Sequence, residues 1–189
     1  MKCTPEDHCD YENTTQALEN IKKDVNDMNS TIERNENLHE MLKIQESFVD
    51  QLVLIEPGRS FIREGQATLI NNQNRANRQL FLFNDMLIIA KRGLLQQSYQ
   101  QEEKIVLVSA GIATSSFHVC GIEISFGVRT IILLWKSNTE KEVWLEDLIN
   151  LKNNEILGHV ESLNSKTPKI ARQQSSAKLS RTDSRRSSF

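Results

Sequence analysis

This chain of 189 residues has little of what marks secreted, membrane-spanning or disulfide-rich proteins. No apolar run approaches the roughly 20 residues that a helix needs to cross a bilayer. The segment 1–8 lacks the apolar core of a secretory signal. We therefore expect a cytoplasmic protein that meets membranes only peripherally.

Cysteine is scarce as well. Cys3, Cys9 and Cys120 are odd in number, and in a reducing compartment they are expected to be free thiols. Cys3, His8 and Cys9 lie close together in the sequence, but the fourth ligand of a finger-like zinc site is missing. We expect no bound metal.

Motifs of catalysis and of cofactor binding are also absent from the sequence. It has no phosphate-cradling glycine-rich loop and no strand-turn-helix serine motif. His39-Glu40 lacks the second histidine of a helical zinc motif, and His8, His118 and His159 fall in other predicted elements. We therefore expect no catalytic residue and no cofactor.

What the chain does have is a strong asymmetry of charge. Residues 1–60 carry 6 basic and 13 acidic side chains, whereas residues 166–189 carry 7 basic and 1 acidic. The segment 158–189 is rich in serine, arginine and lysine and has too little apolar surface to offset the entropy of ordering, which predicts a disordered tail. No aromatic residues are interleaved with its basic residues for base stacking, so we expect no nucleic-acid partner.

A long amphipathic helix is predicted from Asp10 to about Leu54, where glycine and proline are absent and apolar residues recur every three or four positions. We expect it to end at Glu56-Pro57-Gly58. To be buried, its apolar stripe must pack against other helices or against a second copy of the chain. A phase shift of the stripe near Asn35 and Asn37 argues against a long regular coiled coil. The stripe consists of Leu18, Ile21, Val25, Met28 and Ile32, followed by Leu38, Met41, Leu42, Phe48, Val49 and Leu52.

The middle of the chain has the pattern of a strand meander. Two apolar runs flank Asn84-Asp85, whose side chains suit a two-residue hairpin turn. Six or seven strands are predicted, the uncertain one at 97–101. Ser137 and Glu140 then form a capping box for a closing helix, on which Trp144 is a large apolar anchor. The other predicted strands cover 62–72, 78–83, 86–91, 104–113, 117–126 and 129–136.

In this order the elements resemble the Dbl family of Rho guanine-nucleotide exchange factors, in which a helical Dbl-homology domain precedes a pleckstrin-homology domain. Residues 4–13 resemble the start of the last Dbl-homology helix, with Cys9 where the family usually has proline. Residues 59–65 resemble the junction into the first pleckstrin strand, 81–87 the second and third strands, and Trp144 the tryptophan of the closing helix.

The resemblance implies an α+β fold. A long N-terminal helix (1–56) is followed by a seven-stranded pleckstrin-homology barrel or sandwich with a closing helix (57–157) and by the disordered tail (158–189). In this family a bundle of helices performs nucleotide exchange, and its earlier helices hold the switch regions of the GTPase. Because the chain starts at the last helix, we expect it to be no enzyme.

The resemblance also implies that basic residues around the barrel are candidates for binding lipid head groups. Family domains that hold phosphoinositides tightly place a lysine in the first strand and a basic-x-arginine pair in the second. That pattern is broken here, so we expect weak attraction to anionic lipids rather than specific head-group binding; the alternative is a set of ordinary solvated charges. The candidates are Arg63, Arg75, Arg78, Lys91 and Arg92.

The tail has candidates of its own. Basic residues precede Ser175, Ser184 and Ser188, which makes these serines candidates for phosphorylation, and phosphates there would cancel much of the tail's positive charge. The final Ser187-Ser188-Phe189 fits capture by a domain that binds C-terminal carboxylates.

These observations lead to three hypotheses. The first is a non-catalytic pleckstrin-homology module that binds membranes or proteins in Rho signalling, with a Rho-family GTPase as the partner that the family implies. The second is an active exchange factor for Rho-type GTPases. The third is a structural protein that self-associates through its N-terminal helix.

Overall fold

The computed structural model describes residues 8–71, 74–93 and 98–166, and side chains as far as residue 158. The predicted α+β fold class is confirmed: a long helix, a seven-stranded antiparallel sheet and a closing helix. Neither helix in the described part combines the length and the hydropathy that crossing a membrane requires. The elements are α1 (Tyr11–Ser47), β1 (Phe61–Asn71), β2 (Asn74–Phe83), β3 (Met86–Arg92), β4 (Tyr99–Val106), β5 (Gly111–Thr114), β6 (Gly121–Phe126), β7 (Arg129–Leu134) and α2 (Asn138–Lys166).

The sheet has the strand order β4-β3-β2-β1-β7-β6-β5, and every pair of neighbours is antiparallel. A 3₁₀ turn at Leu107–Ser109 joins β4 to β5, the two strands at the open edges. Helix α2 packs against this turn and against β5 and β6, and Lys152 Nζ donates a hydrogen bond of 2.6 Å to the carbonyl of Ala110. The helix therefore closes the corner that the strands leave open.

The β2–β3 hairpin is buried on both faces. For this reason β2 ends with a continuous apolar run and β3 begins with one. Its turn lies at Asn84-Asp85 as predicted, since Leu82 pairs with Leu87. One face belongs to the interior of the barrel, and the other packs under the end of α1. The interior face contributes Leu80, Leu82, Leu87 and Ile89, and the face under α1 contributes Phe81, Phe83, Met86, Ile88 and Ala90.

Helix α1 ends at Ser47, earlier than predicted, because Phe48 leaves the helix for the barrel. Phe48 has an extended backbone, and its ring lies 5.4 Å from that of Phe81 and 5.9 Å from that of Tyr99. The Val49 amide donates to the Tyr99 carbonyl at 2.9 Å. The predicted end at Glu56-Pro57-Gly58 is wrong, since Pro57 and Gly58 form a turn inside an extended linker instead.

Other element boundaries also differ from the sequence prediction. The strand predicted at 104–113 is interrupted by the 3₁₀ turn, and the one predicted at 117–126 begins only at Gly121. The uncertain strand near 97–101 is the start of β4. Helix α2 continues to Lys166, into the segment assigned to the tail, because no proline interrupts it. The rest of the predicted disordered tail, 167–189, lies outside the described residues.

Trp144 anchors α2 in the barrel. The Glu140 amide donates to Ser137 Oγ at 3.2 Å, so the predicted cap starts the helix. One turn later, Trp144 is 3% exposed and its ring lies 5.8 Å from that of Trp135. A Cβ atom on Gly65 would come within 2.7 Å of Trp144 Cζ2, so the indole fits only because β1 has a glycine at this position.

Replacement of Trp144 tests this packing. Trp144→Ala removes a buried ring that the surroundings fill only in part, so we expect a loss of about 3 to 5 kcal/mol in the free energy of unfolding. Denaturant unfolding of the full chain measures it. Val143→Ala, one residue away and 40% exposed, is the matched control and should change stability by no more than about 0.5 kcal/mol. Equal effects of the two would contradict the placement of α2.

Candidate functional site

A polar cavity of about 390 Å³ lies at the end of the barrel where β1 passes into β2. Three of the five basic candidates line it: Arg75 and Arg78 from β2 and Lys91 from β3. Antiparallel pairing explains why they meet, because β2 begins at the end of the barrel where β3 finishes. The cavity is the structure's candidate site for an anionic group.

Two of the three basic residues in this cavity already have an internal counterion. Arg78 forms a bidentate ion pair with Glu102, in which Nη2 donates to Oε1 at 3.1 Å and Nε contacts Oε2. Lys91 Nζ lies 3.5 Å from Glu102 Oε1. The hydrogen bond from Arg78 lowers the pKa of Glu102, and burial opposes this effect in part. A carboxylate thus occupies the position that the phosphate of a ligand would take.

A β-bulge brings Glu102 to this position. The pairing of β3 with β4 shifts between Ile89 and Ala90, which pair with Glu103 and Gln101, so Glu102 is the extra residue on β4. A bulge changes the direction in which a side chain points. Sequence analysis missed Glu102 for this reason, since regular alternation gives no signal of a bulge.

The other two basic candidates lie outside the cavity lining. Arg63 Nε lies 2.7 Å from Asp147 Oδ2, without the angle of a hydrogen bond, and its guanidinium stands 5.8 Å above the Trp144 ring. Arg63 therefore joins β1 to α2. Arg92 is exposed at the end of β3, one residue after Lys91, and is not part of the cavity lining.

The linker between α1 and the barrel is held by the β2–β3 turn. Arg59, whose side chain is 5% exposed, donates to both carboxylate oxygens of Asp85 at 2.7 to 3.0 Å. It also donates to the Leu54 carbonyl at 3.0 Å and to Glu56 at 2.8 Å. The hydrogen bond to Asp85 raises the pKa of Arg59. Each nitrogen of the guanidinium has an acceptor, so its burial is compensated.

Two asparagines add further bonds at this junction. Asn84 accepts from the Ser60 amide at 2.8 Å and donates to the Gly58 carbonyl at 2.9 Å. Asn37 on α1 accepts from the Phe61 amide at 3.0 Å and donates to its carbonyl at 2.7 Å. These side-chain bonds to the backbone fix the angle between α1 and the barrel.

The N-terminal part of α1 leaves its apolar stripe exposed. Met41 and Ile44 are buried against the barrel, whereas the five apolar residues between positions 18 and 32 are 38% to 66% exposed. The described residues provide no second helical surface for this stripe. The exposed residues are Leu18, Ile21, Val25, Met28 and Ile32.

The remaining candidates stay predictions. The ligand atoms of His8, Cys9 and Asp10 lie within 4.8 Å of one another at the exposed start of α1, and Cys3 lies outside the described residues. The phosphorylation candidates Ser175, Ser184 and Ser188 and the final Ser187-Ser188-Phe189 also lie outside them.

Comparison with known proteins bears on the identity of this barrel. The profile of the pleckstrin-homology domain of Rho GTPase-activating protein 20 matches residues 61–151. The Rac guanine nucleotide exchange factor JJ of Dictyostelium discoideum is 33% identical over 159 residues, which are 78% of this chain and 13% of that protein. The human FYVE, RhoGEF and PH domain-containing protein 5 is 39% identical over 82 residues, which are 43% of this chain and 6% of that protein. The chain thus spans a small part of these relatives.

Solved structures show the same fold. The N-terminally truncated linker and DH/PH domains of p115-RhoGEF superpose with a TM-score of 0.69 at 14% identity, over 79% of this chain and 50% of that one. Autoinhibited Vav1 superposes with a TM-score of 0.67 at 20% identity, over 78% of this chain and 28% of that one. These superpositions cover more than three quarters of the chain, whereas the barrel forms only about half of it. The structural likeness therefore includes helix α1 as well as the barrel.

The barrel closed by α2 is a pleckstrin-homology domain. Together with α1 it confirms the resemblance: the chain corresponds to the C-terminal part of the Dbl family of Rho guanine-nucleotide exchange factors, the last helix of a Dbl-homology domain followed by a pleckstrin-homology domain.

The internal counterion leads to a prediction about anion binding. Glu102→Gln removes the carboxylate that pairs with Arg78 and Lys91, and each basic residue near an anionic leaflet contributes about 1 kcal/mol. We expect binding to phosphoinositide-containing vesicles to tighten about fivefold to tenfold in a co-sedimentation assay. Glu64→Gln is the matched control, since exposed Glu64 has neutral Gln79 as its hydrogen-bond donor among the described residues. A similar gain in both variants would mean that net charge alone matters.

The same ion pair predicts a dependence of stability on pH. Because the folded pKa of Glu102 is lowered, its favourable contribution is complete above the unfolded pKa, about 4.3, and is lost as the pH falls through the folded value. The difference in melting temperature between wild type and Glu102→Gln should therefore be constant above about pH 5 and shrink below about pH 4. A difference that is independent of pH down to acid unfolding would contradict the ion pair.

Proposed function

We propose that this chain is a non-catalytic binding module of Rho-type GTPase signalling, which associates weakly with anionic membranes through its pleckstrin-homology domain. It acts from the cytoplasm as a peripheral membrane protein. The observation that carries this proposal is the cavity at the end of the barrel, where basic side chains from two strands converge on one carboxylate.

The charges in the cavity support weak rather than tight lipid binding. Glu102 neutralises Arg78 and Lys91, so a lipid head group must compete with an internal carboxylate for the same donors. Arg75, which lines the cavity, and Arg92 at the end of β3 are both exposed and remain available to an anionic surface. Long-range attraction to the leaflet then exceeds the gain from specific head-group contacts.

The geometry of α1 supports a positioning role without exchange activity. Exchange in the family rests on a helical bundle that grips the GTPase switch regions. The described residues before the barrel form one helix, and its stripe between positions 18 and 32 is exposed. The bonds of Arg59 to Asp85 and of Asn37 to Phe61 hold this helix at a fixed angle to the barrel. We propose that α1 places the module against a larger Rho-pathway assembly.

The second candidate is an active exchange factor for Rho-type GTPases. The relatives named as exchange factors favour it, and one of them is 33% identical over 78% of this chain. In that case the surfaces of α1 and of the barrel would take part in engaging the GTPase.

Release of labelled GDP from Rho-, Rac- and Cdc42-type GTPases separates the two candidates. We expect the full chain to leave the release rate unchanged, while removal of magnesium by EDTA accelerates it and shows that the assay responds. Acceleration by the chain would overturn the non-catalytic proposal and support the exchange factor.

Co-sedimentation with phosphatidylserine-containing vesicles tests the membrane part. We expect salt-sensitive binding, and the double variant Arg75→Gln, Arg92→Gln should weaken it about thirtyfold, at about 1 kcal/mol for each residue. Lys22→Gln with Lys23→Gln removes the same charge from the exposed face of α1 and should have a smaller effect. Binding that is absent, or equally reduced by both doubles, would contradict a lipid site at the barrel.

A further inference from the structure

The turn between β6 and β7 presents an apolar residue at its tip. Gly127 has a positive φ of 58°, which permits the tight reversal, and Val128 follows with a fully exposed side chain. Two-residue turns are usually built from glycine, asparagine, aspartate and serine, so a valine at the apex is not what the turn geometry requires.

The hairpin below this tip is firmly held. Phe126 and Arg129 pair across it, and the Arg129 guanidinium stands 5.8 Å above the Phe126 ring. Arg129 Nη2 also lies 2.7 Å from Glu103 Oε1, and the hydroxyls of Ser125 and Thr130 are 3.0 Å apart. Val128 is therefore presented on an ordered support, so its insertion into a partner would cost little conformational entropy.

Strand pairing places this tip at the end of the barrel that carries the basic cavity. Ile70 of β1 pairs with Arg75 on one side and with Ile132 on the other, so Arg75 and Ile132 lie in one row across the sheet. Because β7 is antiparallel to β1, the residues before Ile132 lie beyond this row, in the direction in which β1 ends. Val128 precedes β7 and therefore lies at that end of the barrel. Val128 thus lies beyond Arg75 at this end of the barrel, which would place it in the bilayer when the basic residues of the cavity lie at the lipid phosphates.

We propose that Val128 is a membrane-inserting residue, which enters the interfacial region of an anionic bilayer while the basic residues around the cavity contact the lipid phosphates. This inference rests on the proposed membrane function and adds an apolar contribution to it. Charge alone gives binding that salt abolishes, whereas an inserted valine gives a contribution that salt does not screen.

Another exposed valine provides a matched control. Val119 is 83% exposed, but it lies in the loop between β5 and β6, at the opposite end of β6 from the Gly127-Val128 turn. Both valines can be changed to serine with the same loss of apolar surface. Only the change at position 128 should affect membrane contact.

Vesicle co-sedimentation of the full chain tests the proposal, with phosphatidylserine-containing vesicles as the probe and phosphatidylcholine vesicles for comparison. We expect Val128→Ser to lower affinity about fivefold and Val119→Ser to leave it unchanged, since a valine side chain loses most of its transfer free energy on this substitution. Raising the salt concentration should abolish the binding of Val128→Ser at a lower concentration than that of wild type.

Fluorescence of Val128→Trp gives a second readout. The native Trp135 and Trp144 are 5% and 3% exposed, so their surroundings are already apolar and a vesicle-dependent blue shift reports on position 128. We expect that shift for Val128→Trp and none for Val119→Trp.

The outcomes separate the two proposals. If wild type binds anionic vesicles but Val128→Ser binds equally well and Val128→Trp shows no shift, the insertion is wrong and the electrostatic membrane function stands. If neither wild type nor Val128→Trp binds any vesicle, both proposals are overturned. A blue shift at both tryptophan positions would also overturn the specific role of Val128.

Discussion

Burial of both faces of the β2–β3 hairpin is the constraint on which the rest of this structure depends. One face fills the barrel, and the other needs a cover, which the end of α1 supplies through Met41, Ile44 and Phe48. Without that cover, Phe81, Phe83 and Ile88 would be open to water. The hydrophobic effect thus links the helix to the barrel more strongly than a flexible linker could. The polar bonds of Arg59 and Asn84 at the turn of the same hairpin then fix the orientation.

The electrostatics of the barrel end follow a different principle. Three of its basic side chains are not left open for a ligand, because carboxylates of β4 pair with them: Glu102 with Arg78 and Lys91, and Glu103 with Arg129. Such pairing stabilises the end of the barrel and weakens its attraction for external anions. The proposed membrane contact would depend on the exposed charges of Arg75 and Arg92, on the salt concentration and on the apolar tip of the β6–β7 turn.

The position of this chain among its relatives shapes the functional proposal. Helix α1 and the barrel superpose together on the linker and DH/PH domains of p115-RhoGEF. The match to the Dictyostelium relative includes 78% of this chain but only 13% of that protein. If the barrel contacts a membrane as proposed, the rigid junction gives α1 a defined placement. The apolar stripe of that helix is the surface through which such a placement would be transmitted.

The sequence by itself determined the order and type of the elements, the hairpin at Asn84-Asp85, the cap at Ser137 and the tryptophan anchor, because these depend on local periodicity and turn chemistry. It also pointed to the arginines of β2. Only the tertiary structure decided where α1 ends, since burial of Phe48 against Phe81 outweighs helical propensity. Only the tertiary structure placed Glu102 among those arginines, because a bulge depends on how two strands pair rather than on either strand alone.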